Sequence, residues 1–101
     1  MFVHAVYFWL RDDLTAEERN TFETRATALL TITGVEHGYL GVPAATDRAV
    51  IERGYSKALI LVFGDEAAEA AYQVDPVHDR FRDECGSFWT KVRIYDSISD
   101  G

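Results

Sequence analysis

The sequence has almost none of the residues that build covalent cross-links or thiolate metal clusters. Cys85 is the only cysteine among 101 residues, so no disulfide can form within the chain and no cluster of cysteine ligands can be assembled. No activating partner for a reactive thiol lies beside Cys85, and we expect this residue at a buried or half-buried helix end. The glycines at 34, 38 and 41 are scattered and form no phosphate-binding loop.

Positive charge is scarce as well. Ten lysines and arginines stand against 17 aspartates and glutamates, for a formal charge of −7, which disfavours nucleic acid as a partner. No apolar run approaches the length needed to cross a bilayer, and no charged leader followed by an apolar core is found. We therefore expect no membrane partner and a cytoplasmic location. The length predicts one domain, residues 1–101, with a globular composition of 48% hydrophobic and 27% charged residues.

The pattern of apolar residues predicts seven elements. Alternation with period 2 predicts strands over residues 2–10, 35–42, 57–63 and 91–98. Helices are expected after the capping residues Thr15, Asp65 and Asp75, and Gly34 is suited to stop the first of them. The third helix is predicted to run from Pro76 to about Trp89. Its inward face is expected to hold Val77, Phe81, Cys85 and Phe88.

The order of these elements is typical of one α+β architecture. Strand, helix, strand, strand, helix, helix, strand is the split βαβ order of a ferredoxin-like sandwich with a four-stranded antiparallel sheet. The helices cover one face of the sheet, yet the first and third strands have apolar residues on both faces. A second copy of the chain is the natural cover for the open face. The sequence therefore predicts a homodimer that closes an α+β barrel.

Tyr72 and His78 are the strongest candidates for chemistry. Asp75 and Pro76 separate them by a helix break, so both side chains can reach one cavity, whereas in one straight helix they would point to different faces. A neutral His78 could remove a proton next to a carbonyl group while Tyr72 holds the developing enolate oxygen. Water would be excluded by aromatic walls from Phe8, Phe63, Phe81 and Trp89.

A structural interpretation of the same residues stays open. His78 could brace its own helix, and Tyr72 could be a core aromatic residue whose hydroxyl lies at the edge. His4 lies on a strand face with Val6 and Phe8, where a hydrogen-bonded core histidine is more common than a catalytic one. We assign no metal site, because no histidine and carboxylate pair has a recognisable ligand spacing.

The chain resembles the stress-responsive A/B barrel family of dimeric α+β barrel proteins over nearly its whole length. The resemblance rests on His4, Gly54-Tyr55, Phe63, Tyr72, Asp75-Pro76-Val77-His78, Phe88-Trp89 and Asp96. It implies a homodimer with a cavity between helices and sheet and no cofactor. A plant polyketide cyclase of this family, which makes olivetolic acid, implies His78 as base, Tyr72 as hydrogen-bond partner of the substrate carbonyl, and His4 as a cavity residue. Lys57 stands where that cyclase has a further pocket histidine, so the resemblance implies that Lys57 binds the substrate and that the substrate differs or no reaction occurs.

Three functions follow as alternatives. The first is a small homodimer of the stress-responsive family with a hydrophobic or aromatic ligand in a pocket near Tyr72 and His78. The second is a cofactor-free polyketide cyclase or aldol-type lyase that uses these two residues. The third is a cofactor-free monooxygenase acting on an aromatic substrate, as in another dimeric α+β barrel family. Trp9 and Trp89 are compatible with this alternative, because that family uses histidine and tryptophan around its substrate.

Overall fold

Four antiparallel strands form a single sheet in the computed structural model, which describes residues 1–100. Three helices lie on one face of this sheet. In chain order the elements are β1 (Phe2–Leu10), α1 (Ala16–Leu29), β2 (Val35–Gly41), β3 (Lys57–Phe63), α2 (Glu66–Gln73), α3 (Pro76–Cys85) and β4 (Trp89–Ile98). The element order and the ferredoxin-like α+β class predicted from the sequence are confirmed.

The strand order across the sheet is β2-β3-β1-β4, with every neighbouring pair antiparallel. The two most apolar strands, β1 and β3, therefore lie side by side at the centre, as their double-sided burial requires. The register places His4 opposite Leu61 on one side and opposite Asp96 on the other. Because opposed residues share a face, Asp96 lies on the same face of the sheet as His4.

Each helix begins at the cap that the sequence predicts. The Thr15 hydroxyl accepts from the Glu18 backbone N–H at 3.0 Å, and the Glu18 carboxylate accepts from the Thr15 N–H at 2.9 Å, which completes a capping box. Asp65 caps α2, and Asp75 caps α3 with Pro76 at its first position. These caps satisfy backbone donors that would otherwise lack partners.

The third helix is shorter than the sequence pattern predicts. It ends at Cys85 instead of near Trp89, and Trp89 begins the last strand opposite Leu10. Gly86 is a weak helix former, and the turn it begins is closed by a hydrogen bond of 2.9 Å from the Phe88 N–H to the Cys85 carbonyl. Strand pairing of the residues after this turn outweighs the helical spacing of Phe88.

The inward face of α3 also differs from the prediction. Val77 is 36% exposed, whereas His78 is only 8% exposed and points to the core side with Phe81 and Cys85. The spacing of 78, 81 and 85 is three and four residues, the ordinary period of one helix face. A histidine therefore occupies the inward position that hydrophobicity alone assigned to a valine.

The core lies between the helices and the inner face of the sheet. Its central residues are Val6, Phe8, Phe22, Leu29, Leu59, Leu61, Phe63, Tyr72, Phe81 and Cys85. β2 approaches β3 and α1 so closely that a Cβ atom at Gly38 would lie 2.7 Å from the Ile60 carbonyl oxygen and 2.9 Å from a Leu30 methyl group. Only glycine fits there without a shift of the backbone.

The opposite face of the sheet is covered by no element among residues 1–100. By register this open face carries Val3, Ala5, Tyr7, Trp9, His37, Tyr39, Ala58, Ile60, Val62 and Tyr95. Tyr55 packs edge to face on Tyr7 with ring centroids 4.9 Å apart, beside a surface cavity of about 390 Å³. The described helices all lack the combination of length and apolar character that a bilayer-crossing segment needs.

Candidate active site

A cavity of about 140 Å³ lies between the helices and the inner face of the sheet. It is lined by His4, Val6, Phe8, Leu29, Leu59, Tyr72, Gln73, His78, Phe81, Arg82, Trp89, Val92 and Ile94. The cavity borders β4, on which Val92 is 36% and Ile94 53% exposed. We therefore place its mouth at β4 and at the exposed Arg82, and its floor at the buried residues of β1, β3 and α1.

The helix break at Asp75 brings Tyr72 and His78 together. Their rings meet edge to face with centroids 4.8 Å apart and an interplanar angle of 74°. The ring of His4 lies on Tyr72 in a second edge contact at 5.8 Å. Tyr72 thus makes ring contacts with two imidazoles, one on α3 and one on β1, and all three residues line the cavity.

His78 is an uncharged imidazole over most of the pH range. Burial, then the positive charge of Arg82 and the neighbouring His4, lower the pKa of His78 to about 4, against the smaller opposing effect of Asp79 and Asp75. Its Nδ1 atom is enclosed and has no hydrogen-bond partner among residues 1–100. An enclosed polar atom without a partner costs stability, roughly 1–3 kcal/mol. A buried histidine with a strongly lowered pKa in a cavity lining is a candidate for a functional site.

Tyr72 keeps its phenolic proton. Burial first, and the negative charge of Glu69 second, raise the pKa of Tyr72 far above its ordinary value, while Arg82 acts weakly in the opposite direction. Its side chain is 1% exposed. A neutral phenol can donate a hydrogen bond to a carbonyl or enolate oxygen, which is the role that an enolate-forming site requires.

His4 is held by carboxylates that lie behind it. Its Nδ1 atom is 2.6 Å from Asp96 Oδ1 and 3.8 Å from Glu69 Oε2. The first contact follows from the strand register, and the second from α2, which packs against β1. A carboxylate on one ring nitrogen fixes the orientation of the imidazole. Sequence reasoning singled out Asp96 only through the family resemblance and missed Glu69.

Gln73 and Arg82 are cavity residues that the sequence reasoning did not identify. The Arg82 guanidinium donates to Gln73 Oε1 at 3.0 Å, and the Gln73 amide nitrogen donates to Glu69 Oε2 at 2.6 Å. The spacing of Glu69 and Gln73, four residues apart on one helix, was the available signal. Arg82 lies four residues after His78 and thus on the same face of α3.

Three of the four predicted aromatic wall residues line the cavity: Phe8, Phe81 and Trp89. Trp89 lies nearly parallel to Phe81, with centroids 5.8 Å apart and an angle of 22°. Phe63 is placed differently from the prediction. It is fully buried behind Tyr72, with ring centroids 5.3 Å apart, and supports that ring without lining the cavity.

Lys57 also lies outside the cavity lining. It opens β3 at the end of the sheet, where its ammonium group makes an ion pair with the Glu23 carboxylate of α1. The sequence offered no means of pairing it with Glu23, because the contact depends on how α1 crosses the sheet. Within residues 1–100, no group of three histidine, cysteine, aspartate or glutamate side chains is arranged to hold a metal ion.

Comparison with known protein families agrees with this geometry. The sequence profile of the stress responsive A/B barrel domain, abbreviated Dabb, matches residues 2–99. The chain belongs to the Dabb family. Comparison of the sequence with curated proteins found no match.

Solved structures similar to this Dabb chain share its fold. A Dabb family protein with a ferredoxin-like fold from Mesorhizobium loti is 26% identical, with a TM-score of 0.77 over 99% of this chain and 97% of that one. A hydroxynitrile lyase from Passiflora edulis is 18% identical, with a TM-score of 0.78 over 99% and 94%. A dimeric ferredoxin-like protein of unknown function from Thermobifida fusca is 17% identical, with a TM-score of 0.77 over 97% and 90%.

Proposed function

We propose that this Dabb protein is a homodimer that binds a small hydrophobic or aromatic ligand in the cavity next to Tyr72 and His78. The walls supplied by Phe8, Phe81 and Trp89 favour an apolar or aromatic body. The polar groups converge on the same space, which gives a bound molecule a defined orientation. The observation that carries the proposal is the enclosed and unpartnered Nδ1 atom of His78 beside the Tyr72 phenol.

The chemistry best supported by this pair is cofactor-free proton transfer at a carbon next to a carbonyl, as in an aldol-type cyclase or lyase. His78 is neutral above its lowered pKa of about 4 and can accept the proton, while Tyr72 keeps its own proton and donates a hydrogen bond to the carbonyl oxygen. The enolate then attacks a second carbonyl carbon, and the proton returns to the new alkoxide. The Passiflora edulis protein of similar fold is described as a hydroxynitrile lyase, so one enzyme of the lyase class is known on this fold.

The homodimer is supported by the open sheet face. Its apolar and aromatic residues are covered by no element among residues 1–100, and soluble monomers rarely leave a large apolar patch in water. The smallest principal extent of the chain is 17 Å, which corresponds to one sheet and one layer of helices. A second copy placed against the open face would complete the barrel, and the Thermobifida fusca protein of similar fold is described as dimeric.

Carbon acid exchange tests the chemistry without knowledge of the natural substrate. Benzoylacetone and phenylacetone are incubated with the full-length protein in D2O, and the exchange of the protons next to each carbonyl is followed by NMR. We expect exchange above the buffer rate that is lost in His78→Gln and reduced roughly tenfold or more in Tyr72→Phe. The control Arg80→Gln changes an exposed residue of α3 that lines neither the cavity nor the open sheet face, and this variant should exchange like the wild type.

Two other results would contradict the proposed chemistry. Exchange at the buffer rate with wild-type protein that nevertheless binds these ketones would leave a ligand-binding homodimer without acid/base catalysis. Oxygen uptake on addition of an anthrone-like or phenolic substrate would instead favour the monooxygenase alternative, because a cyclase or lyase consumes no oxygen.

A further inference from the structure

The mouth of the cavity carries a cation whose charge no carboxylate within 4.0 Å offsets. Arg82 is exposed and lines the cavity, and no carboxylate among residues 1–100 lies within 4.0 Å of its guanidinium group. Arg80, two residues away on the same helix, is by contrast paired with Glu84 at 2.6 Å. We infer that Arg82 selects ligands that carry a carboxylate on a body about the size of one ring. This inference rests on the proposed ligand-binding role of the cavity.

The polar lining favours an anionic group. The side chains with polar atoms in the lining are His4, Tyr72, Gln73, His78, Arg82 and Trp89. All of them can donate a hydrogen bond, and the lining contains no carboxylate. Glu69 and Asp96 contact His4 from behind and face a separate groove with Phe2 and Ile98. A carboxylate entering the cavity would meet donors, even though the whole chain carries a charge of −7.

Arg82 is positioned without being neutralised. One of its N–H groups donates to the uncharged Gln73 amide, which in turn donates to Glu69. Of the five N–H donors on a guanidinium group, one is used in this contact, so a parallel pair remains available for a carboxylate. The amide of Gln73 separates Arg82 from the charge of Glu69. A glutamate at position 73 would have closed an ion pair, and a glutamine does not.

The positive charge of Arg82 acts on groups inside the cavity. Among the charged groups it has the largest effect on the pKa of His78, which it lowers, whereas Asp79 and Asp75 act in the opposite direction. It also lowers the pKa of Tyr72.

The volume of the cavity sets the size of the ligand body. About 140 Å³ is close to the roughly 150 Å³ of an apolar cavity that admits benzene. A six-membered ring therefore fills the apolar floor, and its carboxylate would extend toward Arg82 at the mouth.

The test compares benzoate with benzamide, which has the same shape and no charge. Each is titrated into the full-length protein, and Kd is read from the chemical shifts of the backbone amides and of the Trp89 indole N–H. We expect benzoate to bind roughly tenfold or more tightly than benzamide, as a charge-assisted contact predicts. Arg82→Gln should remove this preference by weakening benzoate alone, and Arg82→Lys should keep part of it. Arg80→Gln on the outer face of α3 is the matched control and should bind like the wild type.

The outcomes separate this inference from the function on which it rests. Equal binding of the two probes, or an Arg82→Gln variant that keeps the preference, would overturn the carboxylate anchor and leave the cavity as a ligand site. If neither probe shifts the Trp89 signal in the wild type, both the anchor and the ligand-binding function are wrong. If benzoate shifts only residues outside the cavity lining, the anchor is wrong as well.

Discussion

The rings of Tyr72 and His78 meet edge to face at 4.8 Å although they belong to different helices. The turn at Asp75 and Pro76 makes this contact possible, because α2 ends one residue after Tyr72 and α3 starts two residues before His78. The contact leaves His78 Nδ1 enclosed without a partner. The free energy of unfolding is therefore lower than it would be with a packed valine or leucine at this position.

Burial of His78 as a neutral imidazole should make the free energy of unfolding depend on pH. The pKa of His78 is about 4 in the folded chain and near its ordinary 6.5 in the unfolded chain. Between these values the unfolded state binds a proton that the folded state does not bind. The contribution of His78 to the free energy of unfolding is therefore fully present above pH 6.5 and decreases as the pH falls toward 4. We expect this residue to account for a loss of about 2–3 kcal/mol over that window.

The variant His78→Leu should remove that part of the slope. It should also be as stable as the wild type at pH 7, or more stable by about 1 kcal/mol, because an unpartnered polar atom is replaced by an apolar group. Urea unfolding at pH 4.5, 5.5 and 7 measures both effects, with Val50→Ala, at an exposed position that does not titrate, as the control that keeps the wild-type slope. Parallel pH profiles for His78→Leu and the wild type would show that His78 is not buried as a neutral imidazole.

Much of the fold could be predicted from the sequence because local signals agree with one another. The alternation of Phe2 to Leu10 and the cap at Thr15 each specify an element without knowledge of distant contacts. The end of α3 could not be predicted in this way. Phe88 and Trp89 continue the helical spacing, and only pairing of Trp89 with Leu10 on another strand makes them part of a strand.

In the candidate site too, residues specified by local sequence could be predicted, and residues placed by tertiary contacts could not. Tyr72 and His78 could be predicted because a proline break is written in the sequence between them. The resemblance places Lys57 in the pocket, where the structure does not, and nothing in the sequence places Arg82 there. Only the tertiary structure brings the partner of such a long side chain close. Lys57 has Glu23 within reach, whereas Arg82 has the neutral Gln73. One cation is therefore paired outside the cavity, and the other remains at its mouth.

The contact between His4 and Asp96 should contribute modestly to stability. Asp96→Asn removes the charge that faces the His4 ring at 2.6 Å, while nearly half of the Asp96 side chain is exposed to water. Solvent screening reduces the value of the pair, and we expect a loss of about 1 kcal/mol in the free energy of unfolding. Urea unfolding at pH 7 measures it, with Ser97→Ala on the opposite face of β4 as the control. An Asp96→Asn variant within error of Ser97→Ala would mean that the pair orients His4 without stabilising the chain.

The aromatic centre of the core should be far less tolerant. Phe22 is fully buried and makes edge contacts with Phe8 at 5.2 Å and with Phe81 at 5.9 Å. Phe22→Ala should cost about 3–5 kcal/mol through lost burial and a residual cavity. Val50→Ala is the comparison, because Val50 is 85% exposed and its truncation should stay within about 0.5 kcal/mol. Similar unfolding midpoints for the two variants would contradict the packing described for α1.

The open face offers a test of the proposed homodimer that does not disturb the cavity. Ile60 lies at the centre of β3 on this face, opposite Ala5 and Tyr39, and its side chain points away from the helices. Ile60→Asp would bury a charge at the contact between two sheets, which costs several kcal/mol unless the charge is paired. We expect this variant to elute as a monomer, while Thr24→Asp, at an exposed position of α1, keeps the assembly of the wild type. Light scattering coupled to size-exclusion chromatography measures the mass of each. If Ile60→Asp keeps the mass of a dimer, the two copies do not meet through this face, and the aromatic residues around Tyr7 must serve another contact.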